Sequence, residues 1–325
     1  MIGGDALAHL AATLRDSRGL KAKQDISLVA ARLGLSGASD IQVGDDCAAI
    51  PEGDGYLLFA IEGFMNEFVA GDPWFAGWCG VMVNLSDVAA MGGRPVAIVD
   101  AVWSDGEAGA APVLQGLHEA SARFGVPIVG GHTNIRTDRG QLSVAILGRA
   151  KRLLTSFDSR PGDALVAVVD LRGRYRDPFA NWDAATDAPA ARLRGDLELL
   201  PEIAEVGLSR AAKDISQGGI IGTATMLAEC SGVGVSLDVR KVVAPVDVAL
   251  DRWLLTFPSY GYLLSVARVD VAEVIGRFAA RGLGASAIGA VTAEQRVSIS
   301  DGATVETIWD FSRGPLMGCG REFAA

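Results

Sequence analysis

The sequence predicts a mixed α/β protein of two domains. Apolar segments of strand length alternate along the chain with segments in which apolar residues recur every three or four positions. The length of 325 residues is about twice that of a typical single domain. A turn-forming tetrapeptide, Arg160-Pro161-Gly162-Asp163, separates two apolar strands near the middle of the chain. We therefore expect a first domain over residues 1–155 and a second over residues 156–325.

These patterns predict strands and helices at definite places. The predicted strands are runs rich in β-branched and aliphatic residues: Tyr56–Ile61, Val96–Val102, Val126–Val129, Leu142–Leu147, Leu165–Val169, Val233–Leu237, Tyr262–Val266 and Ala285–Val291. The predicted helices have apolar residues at helical spacing: Asp5–Arg15, Trp74–Met91, Ala111–Phe124, Leu197–Val206, Gly219–Cys230 and Val271–Ala280. The segment Leu171–Leu193 has neither period, and we expect a long loop there.

The composition indicates a globular protein that binds neither nucleic acid nor a membrane. Half of the residues are hydrophobic and 21% are charged, which is typical of a chain that buries a core. The 29 lysines and arginines against 39 aspartates and glutamates give a net charge of −10, and such a field repels polyanions. No window approaches the run of about 18 apolar residues that a membrane span requires.

The cysteines point to a reducing compartment. Cys47, Cys79, Cys230 and Cys319 lie far apart and lack the spacing of a zinc or redox motif. The first turns of the chain carry charged residues, which argues against a signal peptide. We therefore predict a cytoplasmic protein whose thiols are reduced and mostly buried.

The first candidate site is the acidic pair in Gly44-Asp45-Asp46. Adjacent carboxylates repel each other unless a cation neutralises them, and oxygen ligands of this kind suit Mg²⁺ that bridges phosphates. The alternative is a solvated turn in which aspartate only accepts turn hydrogen bonds. Asp45 and Asp46 are therefore candidate metal ligands.

A second candidate lies near the end of the predicted Trp74–Met91 helix. Asn84 and Asp87 are three residues apart, so both project from one face while the apolar residues of the helix remain available for a core. A ligand site and a hydrogen-bonded polar pair in the core are equally compatible with this spacing.

Two glycine-containing segments are further candidates. Gly130-Gly131-His132 follows a predicted strand, at the position where α/β proteins often bind ligands, although a single histidine is more often structural. Asp214-Ile215-Ser216-Gln217-Gly218-Gly219 opens a predicted helix, whose free N–H groups favour phosphate. Asp214 could equally be the cap of that helix.

Several common sites are excluded by the residues that they require. No Gly-Lys dipeptide occurs, so a Walker-type P-loop is absent. Three histidines, His9, His118 and His132, do not suffice for a multi-histidine zinc site, and no nucleophile-elbow sequence accompanies them.

Taken in order, the motifs resemble those of the aminoimidazole-ribonucleotide (AIR) synthetase superfamily. The motifs are Gly44-Asp45-Asp46, Asn84-Leu85-Ser86-Asp87, Gly130-Gly131-His132-Thr133, Pro161-Gly162-Asp163 and Asp214-Ile215-Ser216-Gln217-Gly218-Gly219. This superfamily includes thiamine-monophosphate kinase, selenophosphate synthetase and formylglycinamidine-ribonucleotide synthetase. The resemblance implies an N-terminal domain whose strands form a dimer-interface β-barrel, a C-terminal α/β domain of ferredoxin-like layering, and the use of ATP and Mg²⁺.

The resemblance also implies roles for individual residues. Metal binding is implied for Asp45, Asp46, Glu62 and Asp87. Orientation of phosphate or of metal-bound water, as a catalytic role, is implied for His132 and Asp214. Contacts to the nucleotide are implied for Asn84, Gly130, Gly131, Ser216, Gly218 and Gly219.

Four departures from the pattern of thiamine-monophosphate kinase argue against that particular activity. Its Ser-Thr-Asp reads Ala60-Ile61-Glu62 here, and its Gly-Gly-Asp ends in His132. The second acid of its Asp-x-Ser-Asp-Gly is Gln217, and an arginine of the same kinase is Ser156. An uncharacterised branch of the superfamily is the better interpretation.

The predicted function is ATP- and Mg²⁺-dependent phosphoryl transfer to an oxygen of a small metabolite, or activation of that oxygen by phosphate, in a homodimer. Such transfer requires positioning and charge neutralisation more than a covalent protein group, which suits a site rich in aspartate and glycine. The alternatives are thiamine-monophosphate kinase and a nucleotide-binding subunit that serves a partner enzyme without catalysis.

The basic residues of the predicted loop are candidates for binding the acceptor. Arg172, Arg174 and Arg176 concentrate positive charge in an acidic protein, and arginine binds carboxylate or phosphate through two parallel hydrogen bonds. We expect an anionic or heterocyclic acceptor there. A solvated surface loop is the alternative.

Overall fold

The computed structural model describes residues 4–35 and 41–320, in which helices and strands alternate. The helices are α1 (Gly4–Arg15), α2 (Arg18–Lys23), α3 (Asp25–Leu33), α4 (Asn66–Gly71), α5 (Pro73–Ala90), α6 (Gly106–Phe124), α7 (Ala190–Leu197), α8 (Leu199–Val206), α9 (Gly219–Ser231), α10 (Leu250–Leu254) and α11 (Val271–Ala279). The strands are β1 (Ala48–Glu52), β2 (Gly55–Phe64), β3 (Arg94–Asp105), β4 (Ile128–Asn134), β5 (Arg136–Ala150), β6 (Ala164–Val169), β7 (Arg174–Tyr175), β8 (Asn181–Asp183), β9 (Ala211–Asp214), β10 (Gly234–Asp238), β11 (Phe257–Pro258), β12 (Gly261–Val266), β13 (Gly284–Thr292), β14 (Arg296–Ser300) and β15 (Val305–Asp310). Every predicted strand and helix overlaps one of these elements, and the mixed α/β class is confirmed.

The chain divides into two units that are discontinuous in sequence. The five-stranded unit comprises residues 46–153 and 185–205, and the seven-stranded unit comprises the remaining described residues. The sequence analysis groups residues 1–155, whereas the structure assigns the N-terminal helices to the seven-stranded unit. The apolar stripe of α1 explains this, because Leu7, Leu10 and Leu14 lie in the same buried core as Ile308 of β15.

The five-stranded unit is built on the strand order β1-β2-β5-β3-β4, in which only β3 and β4 pair in parallel. Helix α5 covers one face, where a Cβ at Gly80 would meet Leu142 and Val144 of β5. The other face exposes Phe59 and Ile61 of β2 to solvent. In the described residues this sheet is open, with β1 and β4 at its edges, and does not close into a barrel.

Helices α5 and α6 approach each other closely through two glycines. A Cβ at Gly77 would lie 2.1 Å from the Val113 carbonyl oxygen, and one at Gly116 would lie 1.9 Å from that of Trp74. Any larger residue at either position would push the helices apart. The rigid position of α5 therefore depends on its contact with α6.

The seven-stranded unit has the strand order β15-β14-β10-β13-β6-β12-β9. Strands β6 and β12 are buried along their whole length, as their continuous apolar sequence predicts. Helix α9 (Gly219–Ser231) is buried on all sides, since most of its residues are apolar and its single charged residue, Glu229, is buried as well. The ferredoxin-like layering of this unit remains a prediction.

The prediction of a long loop over Leu171–Leu193 holds only in part, because most of the segment is irregular but short strands and the start of a helix interrupt it. Strands β7 and β8 pair antiparallel within it, β11 joins them, and α7 begins at Ala190. The ring of Trp182 packs edge-on against those of Tyr175 and Trp253, 5.2 and 5.3 Å away. Two- and three-residue strands are too short to show a period in the sequence, and tertiary packing of aromatic rings orders the segment instead.

All four cysteines are free thiols, and Cys47, Cys79 and Cys230 are buried. This agrees with the reduced state expected from their spacing. None of the helices between residues 4 and 320 is long and apolar enough to cross a membrane.

Candidate active site

Helix α5 places Asn84 and Asp87 within the core of the five-stranded unit. The helix begins after Asp72, whose carboxylate accepts a hydrogen bond from the Phe75 N–H at 3.2 Å. Asn84 is fully buried and Asp87 is 4% exposed. Asn84 Nδ2 donates to the Gly80 carbonyl at 2.8 Å, and its Oδ1 has no hydrogen-bond partner among the described residues. A buried acceptor without a hydrogen-bond partner destabilises the fold by about 1–3 kcal/mol. Such unpaired buried atoms are often found at functional positions.

The carboxylates of Asp46 and Asp87 come together in this unit. Asp46 precedes β1, and the N–H of the next residue, Cys47, points at Met91 Sδ, 3.0 Å away. Met91 follows the last turn of α5, so this contact holds the start of β1 against the end of the helix. Carboxylate oxygens of Asp46 and Asp87 lie within 4.8 Å of each other. The paired acids that the sequence places 41 residues apart are thus brought within reach of one ion.

Asp45 belongs to a different set of contacts. Both of its carboxylate oxygens accept hydrogen bonds from Ser156, from the backbone N–H at 2.8 Å and from the hydroxyl at 2.6 Å. These bonds lie within the seven-stranded unit. The sequence predicts metal binding for both Asp45 and Asp46. In the structure Asp45 is hydrogen-bonded to Ser156, whereas a carboxylate oxygen of Asp46 lies near one of Asp87.

Glu62 lies on the α5 side of the five-stranded sheet. Glu62 pairs with Val144 of β5, and Val144 pairs in turn with Asp100 of β3. The side chains of Glu62 and Asp100 therefore project from the same face of the sheet. Burial raises the pKa of Asp100. Asp100 is a candidate that the sequence analysis missed, because its acidic side chain interrupts an otherwise apolar strand without belonging to any motif.

His132 is not at a strand end, as the sequence predicts, but inside β4. The strand continues to Asn134, and its parallel partner β3 fixes the register. Gly131 pairs with Asp100 on the α5 side, whereas His132 pairs with Ala101 on the opposite face. There its ring lies 5.8 Å from that of Trp103. Within one chain, His132 and Glu62 therefore point to opposite faces of the sheet.

The motif Asp214–Gly219 spans the turn from β9 to α9 in the seven-stranded unit. Asp214 is 3% exposed, and its carbonyl accepts a hydrogen bond from Thr223 Oγ1 at 3.2 Å. Gly218 and Gly219 have φ values of 101° and 63°, in the region that favours glycine. The hydroxyl of Ser216 accepts a hydrogen bond from Lys23 Nζ at 3.3 Å.

The three arginines of the β7–β8 region have unequal surroundings. Arg172 forms a two-bond pair with the buried carboxylate of Asp170, at 2.7 and 3.0 Å. Arg176 lies 3.9 Å from Asp183. Arg174 is exposed on β7. The structure therefore gives Arg172 and Arg176 intramolecular carboxylate neighbours, which the sequence does not reveal.

Two regions of the chain match the AIR synthase-related family. Residues 44–150 match its N-terminal domain, described as "AIR synthase related protein, N-terminal domain", and residues 160–302 match the corresponding C-terminal domain. The chain belongs to the AIR synthase-related family. This confirms the resemblance inferred from the motifs.

Relatives in this family carry different activities. An uncharacterized protein of Synechocystis is 47% identical over 318 residues, 96% of this chain and 98% of its own length. Thiamine-monophosphate kinase of Methanopyrus kandleri is 31% identical over 64% of this chain and 68% of its own length. Phosphoribosylformylglycinamidine synthase subunit PurL of the same organism is 30% identical over 81% of this chain but only 40% of its own length.

Solved structures share the fold. PurL of T. maritima in complex with ATP superposes with a TM-score of 0.71 at 20% identity, over 86% of this chain. AaThiL in complex with AMPPCP and TMP gives a TM-score of 0.66 at 19% identity, over 87% of this chain and 96% of its own length. The chain spans about half of the PurL chain, 47% by length. The two-domain α/β fold of the family is therefore present here.

Proposed function

We propose that this protein is an ATP- and Mg²⁺-dependent enzyme that transfers the γ-phosphate of ATP to an oxygen of a small metabolite, or activates that oxygen by phosphorylation. The observation that carries the proposal is the Asp46–Asp87 pair, whose oxygens lie within 4.8 Å in a family domain. The PurL structure with ATP and the AaThiL structure with AMPPCP support the choice of nucleotide.

The Asp46–Asp87 pair and the nearby helix α5 fit a magnesium ion. Mg²⁺ prefers oxygen ligands at about 2.1 Å, so two of its ligand atoms lie up to about 4.2 Å apart. The Asp46 and Asp87 oxygens need little adjustment to meet that limit. Asn84 Oδ1, buried and without a hydrogen-bond partner in the described chain, adds an oxygen on the same helix. When bound, the ion would neutralise the charge of the phosphate oxygens.

Further residues enter the proposal from their motifs. Asp87 and Asp46 would hold the metal, with Glu62 as an additional acid; Asp45 supports them through its bonds to Ser156. Asp214 is proposed to orient phosphate or metal-bound water, on the strength of its motif and its burial within its own unit. Nucleotide contacts are proposed for Gly130, Gly131, Ser216, Gly218 and Gly219.

The first turn of α9 suits a phosphate group. A Cβ at Gly219 would lie 2.3 Å from the Leu254 carbonyl oxygen, so only glycine fits there. The N–H groups at the start of a helix and the positive end of its dipole attract anions. Lys23 adds a positive charge at Ser216, which precedes this turn.

Arg174 is proposed to bind an anionic acceptor because it is exposed on β7. Arg172 and Arg176 lie beside it in sequence and also interact with the carboxylates of Asp170 and Asp183. A charge-assisted hydrogen bond from its guanidinium to a carboxylate or phosphate is worth about 1.5–3 kcal/mol.

The exposed face of the five-stranded sheet supports a homodimer. Phe59 and Ile61 are 52% and 67% exposed, and their cross-strand neighbours Leu147, Ala145 and Val99 extend the apolar surface. An apolar sheet face of this kind needs a cover, and a second copy that pairs face to face would complete the barrel that the family resemblance implies. His132 lies on this face, so its proposed catalytic role would be exercised at that interface.

Thiamine-monophosphate kinase is the second candidate function. It is favoured by the 31% identity to the Methanopyrus kandleri enzyme over 68% of that protein. The glutamate at position 62, the histidine at 132 and the glutamine at 217 favour a different acceptor. A nucleotide-binding subunit without catalysis is the third candidate, since the PurL relatives are named as subunits.

Turnover in the absence of other proteins separates these functions. The purified chain would be incubated with ATP, Mg²⁺ and a panel of anionic and heterocyclic acceptors that includes thiamine monophosphate, and ³¹P NMR would follow ADP and new phosphate esters. ADP formation that depends on one acceptor and disappears in Asp46→Asn supports the enzyme. Tight ATP binding without turnover on any acceptor would favour the subunit.

A further inference from the structure

Ser156 is the centre of a buried network beside the Gly44-Asp45-Asp46 motif, within the seven-stranded unit. Its N–H and hydroxyl donate to the two oxygens of Asp45, and its carbonyl accepts from Ser231 Oγ at 2.6 Å. Ser156 is fully buried. One oxygen of Asp45 is therefore held by the backbone and the other by the side chain of a fully buried residue.

Lys213 extends this network from strand β9. Its Nζ donates to Ser156 Oγ at 3.4 Å, and the residue is only 4% exposed. The Ser156 hydroxyl thus accepts from the ammonium and donates to the carboxylate of Asp45, so the two charges are linked through one oxygen atom. Burial of an ammonium costs several kcal/mol unless a charge or polar group compensates for it.

The neighbouring thiol of Cys230 interacts electrostatically with both Lys213 and Asp45. Burial raises the pKa of Cys230 well above its ordinary value, while Lys213 lowers it and Asp45 raises it. Cys230 Sγ contacts the Gly44 carbonyl at 3.3 Å. Cys230 thus contacts the segment that leads into Asp46 and interacts with the charge of Lys213.

Two consecutive carboxylates need separate partners if one of them is to bind a metal ion. Without a cation on Asp45, its charge repels that of Asp46 and both compete for the same ion. The ammonium of Lys213, acting through Ser156, supplies that cation. Gly44 has a φ of 117°, and a Cβ there would lie 2.7 Å from that of Cys319, so the segment has little freedom to relax.

We propose that Lys213 is a positioning residue, which through Ser156 fixes the carboxylate of Asp45 and so sets the backbone from which Asp46 binds the metal. Metal binding by Asp46 rests on the proposed function, whereas the fixing of the Asp45 carboxylate is independent of it. Lys213 donates a hydrogen bond to Ser156 within the protein.

The test compares Lys213→Met, Lys213→Arg and Ser156→Ala with the control Lys151→Met, which removes an exposed ammonium. Hydrogen–deuterium exchange without nucleotide is measured for residues 41–50 and 154–158. We expect exchange about tenfold faster in Lys213→Met and Ser156→Ala, and near-normal exchange in Lys213→Arg and the control.

A second readout is the Mg²⁺ concentration that half-saturates ATP binding. It should rise about tenfold in Lys213→Met, while ATP affinity at saturating Mg²⁺ changes less than about twofold. Unchanged exchange and unchanged Mg²⁺ dependence in a folded Lys213→Met would overturn the proposal. If that variant does not fold, Lys213→Gln decides by the same two readouts, because it removes the charge of Lys213 and leaves the Ser156–Asp45 hydrogen bonds in place, whereas Ser156→Ala removes one of them. If the wild-type protein binds no ATP, the proposed function fails and the exchange measurement still decides the role of Lys213.

Discussion

The carboxylate of Glu229 accepts a hydrogen bond from the backbone N–H of Met317 at 2.8 Å, and the N–H groups of Leu316 and Gly318 donate to the same carboxylate at 3.1 and 3.0 Å. Glu229 is 4% exposed on α9. One buried side chain thus binds three consecutive N–H groups of the segment that follows β15. Burial raises the pKa of Glu229, and the three N–H groups partly oppose that rise.

Glu229→Ala should destabilise the seven-stranded unit by about 3 kcal/mol, because it leaves three N–H groups, two of them on the buried residues Leu316 and Met317, without an acceptor. Urea unfolding followed by tryptophan fluorescence measures this. Glu273→Ala, on the exposed side of α11, is the matched control and should change little. Equal midpoints for the two variants would show that the contact with the C-terminal segment contributes no stability.

The α5–α6 contact should tolerate no added methyl group. Gly116→Ala would place a Cβ 1.9 Å from the Trp74 carbonyl oxygen, and we expect a loss of at least about 2 kcal/mol in the free energy of unfolding. Gly276→Ala in α11 meets nothing within 4 Å and should be neutral or stabilising by up to about 1 kcal/mol. Thermal unfolding of both variants provides the measurement, and similar melting temperatures would contradict the close approach of the helices.

The exposed face of the five-stranded sheet should carry the dimer. Ile61→Asp places a charge at its centre and should convert a dimer to a monomer at micromolar concentration, as light scattering would show. Val246→Asp, at a residue that is 98% exposed in the other unit, is the control and should remain dimeric. A wild-type monomer, or a dimer that survives Ile61→Asp, would refute this interface.

Arg172 should stabilise the fold more than it binds ligand. Arg172→Ala leaves the buried carboxylate of Asp170 without its paired guanidinium, at a cost of about 1–2 kcal/mol after allowance for the partly exposed arginine. Arg240→Ala removes the same kind of pair from a more exposed aspartate, Asp238, and should shift the unfolding midpoint less. Equal shifts for the two variants would argue against a structural role for Arg172.

The sequence predicts those elements whose apolar period is long enough to read. Helix α5 is expected at Trp74–Met91 and observed at Pro73–Ala90, because eighteen residues carry both the period and the terminal signals. Strands β1, β14 and β15 are missed because polar residues or a proline interrupt their short apolar runs. The turn signals of Leu171–Leu193 suggest a loop, because the sequence does not show that the aromatic rings of this segment pack together.

The candidate site, too, could be predicted only in part from the sequence. Asp46, Asn84 and Asp87 are found from motifs, but the motif treats Asp45 as equivalent to Asp46. The difference arises from Ser156 and Lys213, which lie 111 and 168 residues away from Asp45 in sequence and join it only in the fold. Strand register likewise decides which face carries His132, because a shift of one residue reverses the face of every side chain.

Calorimetric titration of ATP, with and without Mg²⁺, tests the Asp46–Asp87 metal site most directly. The comparison uses wild-type protein, Asp87→Asn and the control Asp54→Asn, an exposed aspartate in the turn between β1 and β2. The proposal predicts Mg²⁺-dependent ATP binding by the wild type and the control, and an affinity at least about tenfold lower in a folded Asp87→Asn. ATP binding by folded Asp87→Asn with wild-type affinity and wild-type Mg²⁺ dependence would contradict it.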